Sequence, residues 1–435
     1  SRKVAVIGAG AAGLCAALEL RREGHRVVVY ERENRSGGTW VYTPEVESDE
    51  IGSDPNRRVI HSSLYASLRT NLPREVMGFR TYPFVESGKP WRDSRRFPGH
   101  AEVLAYLTDF SDEFQIGEMV RYGTEIRRLI LADDRKWIVE INGEEDKEEA
   151  YDAVVVCNGH YTHPRIADIT GIDEWPGKQI HSHNYRTPDI FHDQVVVLIG
   201  SAASATDISR EIAGVSKEVH LAIRSNEDAL RKMPSPGNIH IHPMIETAHR
   251  DGRITFEDGE VVRADAILHC TGYKYHFPFL ESTGIVSVED NRVHPLYKHV
   301  FPPDLAPRLS FVGIPWKVVP LPLIEYQSKW IAGALSGRIT LPTPQQMLSD
   351  IEAFYASMEQ SGIPKRYTHR LGTDQQFEYN DWLAEQVGSA PTEEWRKKMY
   401  LATGQRIRKS PETYRDEWDE DDQELISLAH NDFLQ

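Results

Sequence analysis

An apolar run, a glycine-rich turn and a further apolar run closed by a charged residue occur twice in this chain, about 190 residues apart. The first is VAVIGAGAAG, with Gly8, Gly10 and Gly13, and its next run, VVVYE, closes on Glu31. The second is VVVLIGSAASA, turning at Gly200, and its next run, VHLAIR, closes on Arg224. Strand, tight turn, helix and strand in this order make a dinucleotide-binding unit, with the helix N-terminus facing the pyrophosphate. An acid after the second strand accepts hydrogen bonds from a free ribose 2′-hydroxyl, whereas an arginine answers a 2′-phosphate. The first turn therefore suits FAD, and the second suits NADPH rather than NADH. One chain holding both is built to pass a hydride from nicotinamide to flavin.

The two turns differ in quality. Gly8 allows the tight turn, Gly10 lets the pyrophosphate approach the backbone, and Gly13 lets the helix pack on the strand. Ala9, Ala11 and Ala12 lie between and beside them. In the second turn the run is Gly200, Ser201, Ala202, Ala203, Ser204 and Ala205, so alanines replace the middle and third glycines. Each added Cβ pushes backbone and phosphate apart, and only the hydroxyls of Ser201 and Ser204 compensate. A weaker hold on NADPH is expected. The paired glycines of SGGTW, ahead of Thr39 and Trp40, free backbone amides for flavin or phosphate oxygens, an ordinary turn being the alternative reading. Asn71 precedes Leu72-Pro73 and, on pattern alone, reads as a turn residue.

Composition narrows the class. The chain has 435 residues, enough for two or three domains with substantial cores. With 50 basic against 66 acidic side chains the formal charge is −16, which disfavours nucleic acid as a partner. Cys15, Cys157 and Cys270 are too few and too scattered for a disulfide framework or a redox-active pair. No apolar stretch approaches the roughly 18 residues of a membrane span, no basic-then-apolar leader opens the sequence, and a soluble, cytoplasmic protein is expected. His181 with His183, and His240 with His242, each place two imidazoles on one side of a strand. With no third ligand nearby in sequence, no metal site is expected. Gly-x-Ser-x-Gly does not occur.

The runs DAVVVCNG and DAILHCTG each close a nucleotide-binding half. The expected fold is α/β, with two Rossmann-like dinucleotide-binding domains, the smaller NADPH domain inserted in the larger FAD domain. The limits read as 1–185 with 285–435 for the FAD domain and its helical tail, and 186–284 for the NADPH domain. FVGIPW, from Phe311 to Trp316, returns the chain to the first sheet. Residues 43–57 read as a surface loop. His100 to Phe114 reads as an amphipathic helix burying Val103, Leu104, Leu107 and Phe110. Segments 123–131 and 136–142 read as strands, with an acidic turn over Glu144 to Glu149. RDEWDEDD, from Arg415 to Asp422, reads as a solvated face.

VIGAGAAG, SGGTW, SLRTNLPRE, WPGKQIHSHNY and the late CTGY together resemble a flavin-containing monooxygenase over residues 3 to 340. The family's identifying pattern falls on Trp175, Gly177, His181 and Tyr185, with Trp in place of Phe. Within the family the chain looks most like plant S-oxygenating members, the glucosinolate S-oxygenases and the garlic-type enzymes that turn S-allyl-cysteine into alliin. The resemblance implies that NADPH reduces FAD, that O₂ adds at flavin C4a, and that a thioether sulfur takes the distal oxygen of that hydroperoxide. It implies that Asn71 stands beside the reactive flavin edge as a neutral donor. It implies that Glu325 and Gln327 pass near isoalloxazine and nicotinamide, and that the strand Thr124-Glu125-Ile126 receives the adenine. His181 is expected to pack rather than to act as a base. The partners implied are O₂ and a small thioether, S-alk(en)yl-cysteine first and methylthioalkyl glucosinolates second. An auxin-forming decarboxylase and an uncoupled NADPH oxidase releasing hydrogen peroxide stand as alternatives. A substrate carboxylate would need a cation, for which Lys274 and Lys317 are candidates without a place.

Overall fold

The computed structural model describes residues 1–142, 149–224, 235–418 and 420–434. Two five-stranded sheets, parallel throughout, organise the molecule. The first is built from β1 (Lys3–Ile7), β2 (Arg26–Tyr30), β3 (Val120–Arg121), β4 (Ala153–Val156) and β10 (Leu309–Phe311), in the order β10-β4-β1-β2-β3. The second contains β5 (Lys178–His181), β6 (Val195–Ile199), β7 (Glu218–Ala222), β8 (Ile239–His242) and β9 (Ala266–His269), in the order β8-β7-β6-β9-β5. The chain leaves the first sheet after β4, builds the second, and returns for β10.

Strands buried on both faces read as unbroken apolar runs, because alternate side chains serve opposite cores. Val4 and Val6 pack with α1 (Ala11–Arg22), α3 (His100–Glu113) and α5 (Pro320–Ser336). Ala5 and Ile7 face the other way, onto Leu129, Trp137, Tyr151 and Phe277. In the second sheet Val196 and Leu198 meet Ile208 and Ile212 of α4 (Ala203–Ala213), while Val197 and Ile199 meet Trp175, Ile254 and Phe256. Val103, Leu107 and Phe110 of α3 are buried as expected, and Leu104 is half-buried.

The internal repeat holds down to single bonds. Gly8 N–H donates to Tyr30 O at 2.8 Å, and Gly200 N–H donates to Ala222 O at 3.1 Å. Cys157 N–H donates to Ile7 O and Cys270 N–H to Ile199 O, each at 2.9 Å. Gly8 and Gly200 have φ of +97° and +135°, and a Cβ would lie 2.6 and 2.4 Å from the carbonyl oxygens of Cys157 and Cys270. Only glycine serves at these two positions.

Several sequence expectations change. The second sheet takes in β5, which ends before the expected limit at residue 186, so that sheet begins earlier. KQIH carries one aliphatic residue, Ile180, too little for a periodic signal. The 43–57 segment is not simply surface, because Glu47 is buried beneath it. Its carboxylate accepts from Arg57 Nε at 2.7 Å and Ile60 N–H at 3.0 Å and meets His183 Nε2 at 3.0 Å. Of the acidic turn, 144–148 lie outside the described residues, and Glu149 belongs to a strand, Glu149–Tyr151. It is held by Lys3, Arg121 and the hydroxyls of Tyr30 and Tyr151. Among the described residues no helix is long and apolar enough to cross a membrane.

The tail comprises α6 (Pro344–Gln360), α7 (Gly372–Val387), α8 (Glu394–Lys409) and α9 (Glu420–Phe433). Of the acidic stretch expected as a solvated face, Asp416 and Glu417 are exposed, and two of its acids also make ties. Asp416 takes both nitrogens of the Arg69 fork at 3.0 and 2.8 Å, and Asp422 is buried against Arg406. Arg396 of α8 is buried and donates to the carbonyls of Glu75, Val76 and Gly78, at the end of α2 (Arg74–Met77). The Arg69 and Arg396 ties are invisible in sequence because their partners lie more than 300 residues away.

Two outcomes are expected. A Cβ on Gly13 would sit 1.8 Å from Gly8 O. Gly13→Ala should therefore lift α1 from its strand at a cost of about 1–3 kcal/mol or more, read as a lower melting midpoint and a loss of bound flavin. Glu393 is paired with Arg80 at 3.0 Å and Arg396 at 2.8 Å; burial raises its pKa, but these guanidiniums outweigh it and hold the carboxyl down to about 2. A depressed pKa stabilises the fold above the usual carboxylate range, and that contribution fades as pH falls toward the folded value. Glu393→Gln should cost on the order of 2–3 kcal/mol in urea titration at pH 7. The gap from the parent should narrow below about pH 4.5; a gap constant with pH would contradict the pairing.

Candidate functional site

The first turn, the SGGTW pair and the 124–126 segment, of which only Ile126 belongs to a strand (Ile126–Leu131), converge at the carboxyl ends of β1 and β2. Gly37 N–H donates to Ala9 O at 3.0 Å, and a Cβ on Gly38 would lie 2.9 Å from Gly10 Cα. The two glycine backbones thus form a cradle that any side chain would fill. Gly10 caps α1 at its N-terminus, leaving the first-turn amides of Ala11, Ala12 and Gly13 directed outward. Thr39 O accepts from Ser62 Oγ at 2.8 Å, and Trp40 is half-buried against the core beside α1.

Glu31 closes β2 and is buried. Its carboxylate accepts from Ala9 N–H at 2.8 Å and Glu33 N–H at 2.9 Å, which aims it across the turn. Burial nevertheless pushes the carboxyl up, against those amide bonds. Thr124 N–H donates to Glu31 O at 2.8 Å, which brings Ile126 alongside. A buried acid, a glycine cradle and a helix N-terminus fit the ribose and pyrophosphate of an adenine dinucleotide. His61 was missed in the sequence. Its ring lies 3.9 Å from the Cβ direction of Gly38 and 3.6 Å from that of Gly159. Burial, then Arg32 and neighbouring histidines, lower it to about 3, so it stays neutral.

Asn71 is exposed, on a loop fixed on every side. Thr70 N–H donates to Pro98 O at 2.9 Å, Thr70 Oγ1 to Leu72 O at 2.8 Å, and Arg415 Nε to Thr70 O at 2.9 Å. The same Arg415 reaches Asp207 of α4 at 2.6 Å, so one side chain joins the Asn71 loop to the second unit. On the far side Arg74 is buried, bonded to the carbonyls of Val85, Asp93 and Arg95, with Glu102 at 3.6 Å. A cavity of about 500 Å³ lined by Tyr65, Arg69, Asp207, Arg210, Glu412 and Arg415 lies beside this tie, not at the glycine turns.

In the second turn Ala202 caps α4, Ala203 and Ser204 are exposed, Ser201 is half-buried, and Ala205 is fully buried. Ala205 occupies the place of Gly13, so α4 must leave room for a methyl group that α1 does not. Arg224 is exposed just past β7, where it donates to the Tyr367 hydroxyl.

Glu325 and Gln327 of α5 are buried and committed to structure. Glu325 accepts from Arg80 N–H at 2.7 Å and Lys329 Nζ at 2.6 Å. Gln327 accepts from Gly313 N–H at 2.9 Å and donates to the Tyr379 hydroxyl at 3.0 Å. A Cβ on Gly313 would lie 4.0 Å from Ala12 Cβ, so the amide that Gln327 holds borders the first turn. The Trp175-to-Tyr185 pattern is likewise internal. A Cβ on Gly177 would strike the Trp175 ring at 2.1 Å, and Tyr185 bonds to Glu211. His181 is fully buried with Nε2 3.0 Å from Gly272 O, and burial holds it down to about 3. His240 lies outside the group that gathers around His242, whose two acids are exposed. His242 meets His220 at 2.9 Å and Glu260 at 3.0 Å, with Asp258 close by. Lys274 is exposed on a two-residue strand paired with His163 and Pro164.

Comparison with known proteins agrees with this geometry. The model of the family described as flavin-binding monooxygenase-like matches residues 1–234 and 226–396. Flavin-containing monooxygenase FMO GS-OX-like 4 of Arabidopsis thaliana is 59% identical, over 100% of this chain and 97% of that protein. The structure of S-allyl-L-cysteine S-oxygenase from Allium sativum superposes with a TM-score of 0.95 at 57% identity, covering 99% of this chain and 98% of that one. Tmm from Pelagibacter superposes with a TM-score of 0.80 at 25% identity, covering 95% and 93%. Two parallel sheets with matched glycine turns and near full-length likeness to these enzymes place the chain in the flavin-binding monooxygenase-like family, as a flavin-containing monooxygenase.

Proposed function

We propose that the protein uses NADPH and O₂ to convert a thioether sulfur to a sulfoxide, with S-alk(en)yl-cysteines such as S-allyl-cysteine as substrates. The observation that carries the reading is the pair of turns whose ribose ends differ, Glu31 at the first and Arg224 at the second. The first sheet then holds FAD and the second holds NADPH. The likeness to an enzyme named for S-allyl-L-cysteine supports the substrate class. Bound FAD, once reduced by NADPH, supplies the centre at which dioxygen is activated for transfer of one oxygen atom to sulfur.

The chain's own residues position and protect. The Gly8–Gly13 turn and the Gly38 backbone receive the pyrophosphate, and Glu31 receives the ribose hydroxyls. The Asn71 amide is a neutral group that donates a hydrogen bond without removing a proton. Its value depends on being held still, since preorganised donors cost no reorganisation during the reaction. Thr70, Arg415 and Arg74 provide that rigidity. No strong acid–base pair is required.

Purified protein supplied with FAD and NADPH should form sulfoxide from S-allyl-cysteine in near-equal amount to NADPH consumed, scored by mass against methylthioalkyl glucosinolates. Hydrogen peroxide in place of sulfoxide on every thioether would contradict the reading. Asn71→Ala should keep FAD and still oxidise NADPH, but lose most sulfoxide in favour of peroxide, a drop on the order of 10²-fold in coupling. Full sulfoxide yield from that variant would remove the assignment. Arg415→Met should lower sulfoxide per NADPH severalfold, with partial rescue by Arg415→Lys. Coupling unchanged in Arg415→Met would show the tie to be structural alone.

A further inference from the structure

A concentration of positive charge stands at the end of β7, and the tail supplies most of it. The Arg224 guanidinium donates to the Tyr367 hydroxyl and lies 5.9 Å from that ring's centroid. The guanidiniums of Arg366 and Arg370 each lie 5.3 Å from the same centroid. Arg370 also stands 5.9 Å over Trp316. Among the described residues, no Asp or Glu forms an ion pair with any of these three arginines. In a chain of formal charge −16, a gathering of arginines with no carboxylate paired to it among the described residues points to an anion held there.

The arrangement is also held in place. Thr368 is buried and accepts from Arg292 Nε at 2.8 Å. Trp316 N–H donates to His369 O at 2.9 Å, and Leu371 N–H to Trp316 O at 3.1 Å. The 366–370 segment is thus fixed to the chain that follows β10, while Arg224 comes from the second sheet. Tyr367 reports what the place favours. Burial raises its pKa, yet hydrogen bonds from Arg224 and Arg366 outweigh burial and lower it. An oxygen set there is stabilised as an anion.

We propose that Arg366 and Arg370 join Arg224 around Tyr367 to form a composite site for the 2′-phosphate of the nicotinamide dinucleotide. The helical tail then contributes to the choice of NADPH over NADH. The chemistry follows from the donors: planar, weakly hydrated guanidiniums present forked N–H groups to phosphate oxygens and cannot lose their charge. The place follows from topology, because the ribose of a dinucleotide on the Gly200 turn lies at the end of the next strand. The inference rests on the reading that the second turn holds such a dinucleotide.

The test uses the FAD-loaded protein and two probes, adenosine 2′,5′-bisphosphate and 5′-AMP, titrated by calorimetry. The NADPH-over-NADH preference in flavin reduction is measured in parallel. Arg366→Gln and Arg370→Gln should each weaken the bisphosphate about tenfold and lower the NADPH preference to match, as loss of a charge-assisted bond would. Bound FAD and the melting midpoint serve as folding controls. If both variants retain parental bisphosphate affinity while Arg224→Gln loses it, the proposal is overturned and the dinucleotide reading survives. If the parent itself binds the two probes equally and accepts NADH as readily as NADPH, the NADPH reading fails and takes the proposal with it.

Discussion

The contact between Gly13 and the Gly8 carbonyl sets the rest of the molecule. With no side chain between them, α1 lies hard on its strand and points its N-terminus at the space above the turn. Every other feature of the first site is placed relative to that contact. Gly38 approaches Gly10 backbone to backbone, Glu31 reaches back to Ala9, and Gln327 holds the Gly313 amide near Ala12. A methyl group on Gly13 would strike the Gly8 carbonyl at 1.8 Å. The second unit repeats the strand end and the left-handed glycine but relaxes the helix contact by placing Ala205 there.

A second theme is how distant chain segments hold an exposed amide still. Asn71 is exposed, yet Pro98, Arg415, Arg74 and Arg396 fix the backbone on either side. These arginines are bonded mainly to carbonyl oxygens, so they act as rigid struts rather than as surface ion pairs of small value. Through Arg415 and Asp207 the same network reaches α4, linking the loop to the second sheet.

Much of the fold was legible because its signals are local. The apolar strand, the positive-φ glycine and the acid or arginine at the next strand end lie within about 30 residues, and the structure repeats them bond for bond. What was not legible depends on partners that no local pattern announces. The acidic tail stretch is partly solvated, and its sequence gives no hint that Arg69 and Arg406 reach Asp416 and Asp422. Glu47 sits in a polar segment and gives no hint of His183 and Arg57. β5 hides in a sequence with one aliphatic residue, and His61 has no motif around it. The place given to Asn71 came from family likeness, since an asparagine before Leu-Pro carries no catalytic pattern of its own.

The central claim is that one chain draws a hydride from one coenzyme so that another can split dioxygen between a sulfur atom and water. Isotope tracing tests this most directly. Turnover of S-allyl-cysteine under ¹⁸O₂ in unlabelled water should give a sulfoxide whose oxygen carries the label, with one NADPH consumed for each labelled molecule. A sulfoxide carrying oxygen from water, or formed without NADPH consumption, would contradict the account.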